Sequence, residues 1–93
     1  MALLPSIEEL SSNGKKGDWA FVQDTHLAVK YDETEWGVVI LPIKVSPSGQ
    51  KPWEWNGSRE SPTLSPSILV HGSKDGNIPR WHGWLREGIL VEA

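Results

Sequence analysis

Trp19-Ala20-Phe21-Val22-Gln23 and Leu27-Ala28-Val29-Lys30-Tyr31, joined by Asp24-Thr25-His26, decide the fold class. Their side chains alternate with period two, which puts Trp19 and Phe21 on one face and aligns Leu27, Val29 and Tyr31 on one face. The triplet between them reads as a turn, so the pair predicts two short strands. Downstream, Val38-Val39-Ile40-Leu41-Pro42-Ile43 is the most apolar run of the chain. A continuous run of this kind predicts a strand covered on both faces. Pro42 lacks an N–H, which places that strand at a sheet edge or at a bulge.

The punctuation further along continues the pattern. Ser46 to Pro52 reads as a loop, and Trp53-Glu54-Trp55 as a short strand stopped by the turn signal Asn56-Gly57. Pro62 and Pro66 exclude residues 58–66 from a helix or a central strand. Ser67 to His71 is a strand, and Gly72 to Pro79 a second loop. Residues 80–91 read as a hairpin, in which Trp81–Leu85 and Ile89–Val91 flank Arg86-Glu87-Gly88 and Gly88 supplies the positive φ of a bulged turn. Only the N-terminus departs from the β pattern. Ser6 and Glu9 form a capping box, Ile7 and Leu10 share a helical face, and Gly14 is a stop. The prediction is a mainly all-β chain: a small antiparallel β-sandwich or open barrel of five to six short strands with a short N-terminal helix. Residues 1–17 form the helical arm and 18–93 a single β domain.

Length and composition limit what such a chain can do. Ninety-three residues make one domain, too few for a catalytic domain plus a regulatory one. Nine Lys and Arg against twelve Asp and Glu give 9 − 12 = −3, against direct nucleic-acid binding by phosphate neutralisation. The absence of Cys excludes disulfides and cysteine metal sites. No apolar run approaches the ~18–20 residues of a membrane span, and the first residues lack the basic and long apolar regions of a signal peptide. A cytoplasmic location in a bacterial host is the expectation. Six Trp against one Phe and one Tyr is the unusual feature.

Two motifs are distinctive: Trp53-Glu54-Trp55-Asn56-Gly57-Ser58 continuing into Ser61-Pro62-Thr63-Leu64-Ser65-Pro66-Ser67-Ile68, and Arg80-Trp81-His82-Gly83-Trp84-Leu85-Arg86-Glu87-Gly88. In this order, over about residues 36–91, they resemble a domain-of-unknown-function family found widely in bacteriophage and prophage genomes. Members of that family often carry the label ammonia monooxygenase. A copper or iron oxygenase needs several His or carboxylate ligands with open positions, and no such cluster is present in the sequence. Many relatives carry cysteines before the apolar strand and near the C-terminal His that look like a zinc site. This chain has none, so packing must replace any such metal, and no cofactor is expected.

The candidate chemistry is sparse. His26, His71 and His82 lack metal-ligand spacing, and His82, between two Trp, is the best single functional candidate. The carboxylate pairs Glu33/Glu35 and Glu54/Glu60 lack any pattern that sets them across a cleft. No nucleophile elbow, P-loop or dinucleotide-binding glycine pattern occurs, and no catalytic or metal residue is assigned. The Asn56-Gly57-Ser58 sequon is read as a turn. Ser61 to Ser67 is read as an extended strap whose Leu64 plugs the core.

Binding is the remaining chemistry. Trp53 and Trp55 share a strand face, while Trp84 lies opposite Trp81 and beside His82. Six Trp exceed what so small a core hides, and exposed Trp marks binding surfaces. The expected function is a phage- or prophage-encoded accessory protein that binds a host or phage protein stoichiometrically, as an inhibitor of host defence. Its surface is Trp53, Trp55, Trp84 and His82 with Glu54 and Glu60 at the rim. A metal-dependent or metal-supported small enzyme centred on His82 is the second expectation. A carbohydrate-binding module using Trp53 and Trp55 is the third.

Overall fold

A computed structural model of the chain describes residues 2–35, 37–45, 51–71 and 79–93. The predicted loops over Ser46–Pro52 and Gly72–Pro79 lie largely outside these residues.

The period-two stretch forms β2 (Trp19–Val22) and β3 (His26–Lys30), antiparallel, with Trp19 opposite Val29 and Ala20 opposite Ala28. On one side β2 pairs in parallel with the two-residue β1 (Leu3–Leu4), and on the other β3 pairs with β4 (Val38–Pro42). The first sheet therefore runs β1-β2-β3-β4, with the proline strand at its edge. A second ladder pairs β5 (Glu54–Trp55) with β6 (Leu64–Ser65). The third sheet is β7-β8-β9, formed by Ile68–His71, Pro79–Arg86 and Ile89–Glu92. Among the described residues six strands have four or more residues, in agreement with the sequence pattern. The two-residue strands β1, β5 and β6 are too short to show a period of their own.

The helix α1 (Ile7–Asn13) follows Ser6, whose Oγ accepts the Glu9 N–H at 3.1 Å as an N-cap, while the Glu9 carboxylate accepts from Asn13 Nδ2 at 2.9 Å. Its apolar side settles on the first sheet. Leu10 packs on Ala20 and Ala28, with Leu4, Ile7, Val22 and Val38 around them. The facing alanines leave room for the helix to approach. The other face of that sheet supplies Trp19, Phe21, Leu27, Val29, Tyr31, Leu41 and Ile43 to the main core. Ile68, Trp81 and Leu85 come from the third sheet to meet them, and Leu64 plugs the cluster from the strap as the sequence predicts. The order of layers is helix, first sheet, third sheet. Two sheets packed over one core define an all-β protein with a short N-terminal helix.

This layering corrects two details of the sequence reading. The apolar run is not covered on both faces throughout. Val39 and Leu41 turn to the main core and Val38 reaches the helix, but Ile40 lies beyond the helix and is 49% exposed. The C-terminal turn is not bulged either. Arg86 pairs with Ile89, leaving Glu87 and Gly88 as a two-residue loop with φ of 50° and 76°. Positive φ at both positions is the type I′ pattern, whose twist matches that of paired strands.

Candidate active site

Among the described residues, the third sheet is covered on its inner face. The register sets Ile68 opposite Gly83 and Leu69 opposite His82. Ile68, Trp81 and Leu85 point inward and are buried, so Leu69, His82 and Trp84 point outward. One step beyond the ladder, Ser67 joins the same outer face, diagonal to His82.

Ser67 is held from both directions along the chain. Pro66 precedes it, and fully buried Ile68 follows it. Its carbonyl accepts the Trp53 indole N–H at 3.4 Å. Its Oγ lies 3.2 Å from His82 Nε2. His82 is anchored in turn between buried Trp81 and Gly83, and its carbonyl accepts the Ala93 N–H at 2.9 Å. Beside the imidazole stands the half-buried Trp84, with ring centroids 5.6 Å apart, and the Arg86 guanidinium lies 5.1 Å from the Trp84 centroid. Ser67, His82, Trp84 and Arg86 thus share one exposed face.

A serine hydroxyl within hydrogen-bond reach of an imidazole can do one kind of covalent chemistry. With its proton on Nδ1, His82 accepts the Ser67 O–H through Nε2 and raises the nucleophilicity of Oγ. A separation of 3.2 Å is at the long end of the range for such pairs, which tighten when substrate is bound.

The residues singled out in the sequence do not form one patch. Trp53 reaches Ser67 through its indole, and His82 reaches it through its ring, so Ser67 links these two. Trp84 adjoins His82. Trp55 belongs elsewhere: its ring packs tilted against Phe21 with centroids 5.4 Å apart, it donates to the Ser58 carbonyl at 3.0 Å, and Phe21 carries Arg59 4.0 Å over its ring. Glu54 is exposed on β5 opposite Ser65, and Glu60 is exposed in the connection between β5 and β6. His26 starts β3 on the helix side of the first sheet, bonded to Thr25 Oγ1 at 2.8 Å, across the molecule from His82. Among the described residues no group of three His, Cys, Asp or Glu is arranged to hold a metal ion. Nor, among them, is any helix long and apolar enough to cross a membrane.

The sequence pattern places Ser67 in the strap and does not indicate its partner. The pairing is made by the register of two strands separated in the chain, and no local motif signals it. The one available hint was the alternation that set His82 on the face opposite Trp81.

The fold and this face define a small β protein carrying a serine–histidine pair on an open sheet. Residues 39–93, from β4 through β9, match the family described as bacterial ubiquitination-like system serine protease (BubE), and the chain belongs to that family. No curated protein and no solved structure matches the chain.

Proposed function

We propose that this chain is a serine hydrolase that cleaves an amide bond within a bacterial ubiquitination-like system, with Ser67 as nucleophile and His82 as general base. The observation that carries this reading is the 3.2 Å approach of Ser67 Oγ to His82 Nε2 on an exposed face, in a family described as serine proteases. Ser67 Oγ adds to the substrate carbonyl carbon while its proton passes to His82 Nε2. His82 then delivers that proton to the leaving nitrogen as the C–N bond breaks, leaving an ester on Ser67. Water hydrolyses the ester with His82 again taking and returning a proton. The test is labelling with a fluorophosphonate and location of the adduct by peptide mass mapping. Ser67 is the expected site. Ser67→Ala should abolish labelling, and His82→Gln should slow it by on the order of 10²–10⁴. An adduct on another serine, or labelling indifferent to His82, would overturn the assignment.

A second reading is supported by the same face. Leu69, Ile89 and Val91 are 45%, 53% and 36% exposed around Trp84. Apolar side chains gathered about a Trp suit stoichiometric protein binding, as expected of a phage- or prophage-encoded accessory protein. Partner capture that survives Ser67→Ala and is lost in Trp84→Ala, with no turnover by the unmodified chain, would favour binding over hydrolysis.

A further inference from the structure

Next to Ser67 lies an open cleft of about 180 Å³ lined by Lys51, Pro52, Trp53 and Pro66. We infer that this cleft is the subsite for the apolar side chain of the residue whose carbonyl Ser67 attacks. The inference rests on the hydrolase reading above and adds the class of residue that is selected.

Position is the first argument. Two of the described lining residues adjoin the nucleophile. Pro66 is peptide-bonded to Ser67, and neighbouring Cα atoms are separated by about 3–4 Å. Trp53 donates its indole N–H to the Ser67 carbonyl at 3.4 Å. A substrate carbonyl brought to Ser67 Oγ has its own residue's side chain as the nearest one, so the adjoining cleft is the place for it.

Size and chemistry give the class. A cavity of about 150 Å³ holds one benzene molecule, whereas sites for whole small ligands run to roughly 300–1,000 Å³. The cleft therefore suits one side chain of Leu, Met or Phe size. Its walls are two proline rings, an indole and the stem of an exposed lysine. The indole N–H is already engaged by Ser67, and the lysine can keep its ammonium in water while lending its methylenes. An apolar side chain leaves the indole hydrogen bond and the hydrated ammonium undisturbed.

Covalent probes of defined side chain test this directly on the intact chain. Diphenyl phosphonates bearing Phe, Leu or Ala side chains are compared with a plain fluorophosphonate that has none. The expected result is that the Phe or Leu probe labels Ser67 at least tenfold faster than the Ala probe. Lys51→Trp, an exposed position that places bulk at the cleft, should cut the Phe-to-Ala ratio severalfold. Trp53→Phe, which keeps an apolar ring but shortens that wall, should move the preference toward the larger probe. Ser67 marked by the plain probe with no Phe or Leu preference would overturn the subsite and leave the nucleophile standing. So would a preference unmoved by both substitutions. A plain probe that misses Ser67 would overturn the hydrolase reading and the subsite together.

Discussion

The Lys30 ammonium lies beneath the end of α1, 2.7 Å from the Ser11 carbonyl oxygen and 3.3 Å from that of Leu10. Lys30 itself is 1% exposed. The last carbonyls of a helix have no partner within it and carry partial negative charge. A lysine on the helix side of β3 supplies both donor and charge, and ties the helix to the sheet. Replacing Lys30 with Met keeps the stem and takes the donor from the Ser11 carbonyl, while the Leu10 carbonyl keeps the Gly14 N–H at 3.1 Å. The expected loss is about 1–3 kcal/mol, read as a lower urea midpoint at unchanged slope. A midpoint equal to that of the parent chain would show that the contact contributes nothing net.

The Trp81 ring lies over Gly83 on the inner face of the third sheet. A Cβ there would collide with the Val91 carbonyl oxygen and with the Trp81 ring carbons. Gly83→Ala must push apart β8 and β9 or displace the ring, at a cost of about 1–3 kcal/mol. Thermal denaturation would measure it. An unshifted melt would mean that Trp81 leaves this pocket easily.

The Glu87–Gly88 turn predicts effects of opposite sign. Gly88→Ala forces a side chain onto φ of 76°, with Ser61 Cα and the Trp19 ring both 3.3 Å from the new Cβ. It should destabilise by about 1 kcal/mol or more. Glu87, at φ of 50°, is a poor occupant of the first turn position, where Asn is preferred. Glu87→Asn retains the backbone N–H that donates to Thr63 Oγ1 at 2.7 Å and should stabilise by several tenths of a kcal/mol. Denaturant midpoints moving in the same direction for both variants would contradict the turn type.

Metal removal should leave folding untouched. The core between the two sheets is made by Trp, Leu, Ile, Val, Phe and Tyr, and the chain has no Cys. Melts with and without a strong chelator should superimpose, because a structural metal would contribute directly to folding free energy. A fall of several degrees would overturn this.

Much of the fold is legible in local pattern. The alternation of Leu27, Val29 and Tyr31 gives one sheet face, the Ser6 N-cap gives the helix, and Pro42 gives the edge. These signals act within a few residues. The exposure of Ile40 could not be read this way, because it depends on where a seven-residue helix stops covering the sheet. The turn at Glu87 was obscured because Glu is not the residue its φ prefers. The site was legible only in halves. His82 stood out between two Trp, while Ser67 looked like one of several strap serines until the register joined them.

Strand β8 carries two kinds of information on alternate residues. Trp81, Gly83 and Leu85 are buried against the other sheet or the neighbouring strand, while His82, Trp84 and Arg86 share the outer face. A deep mutational scan along this one strand would split with a period of two. Protein abundance would fall at the odd positions, and losses at the even positions would appear in activity while abundance held. The strand thus acts as its own internal control, separating failure to fold from failure to function within six consecutive codons.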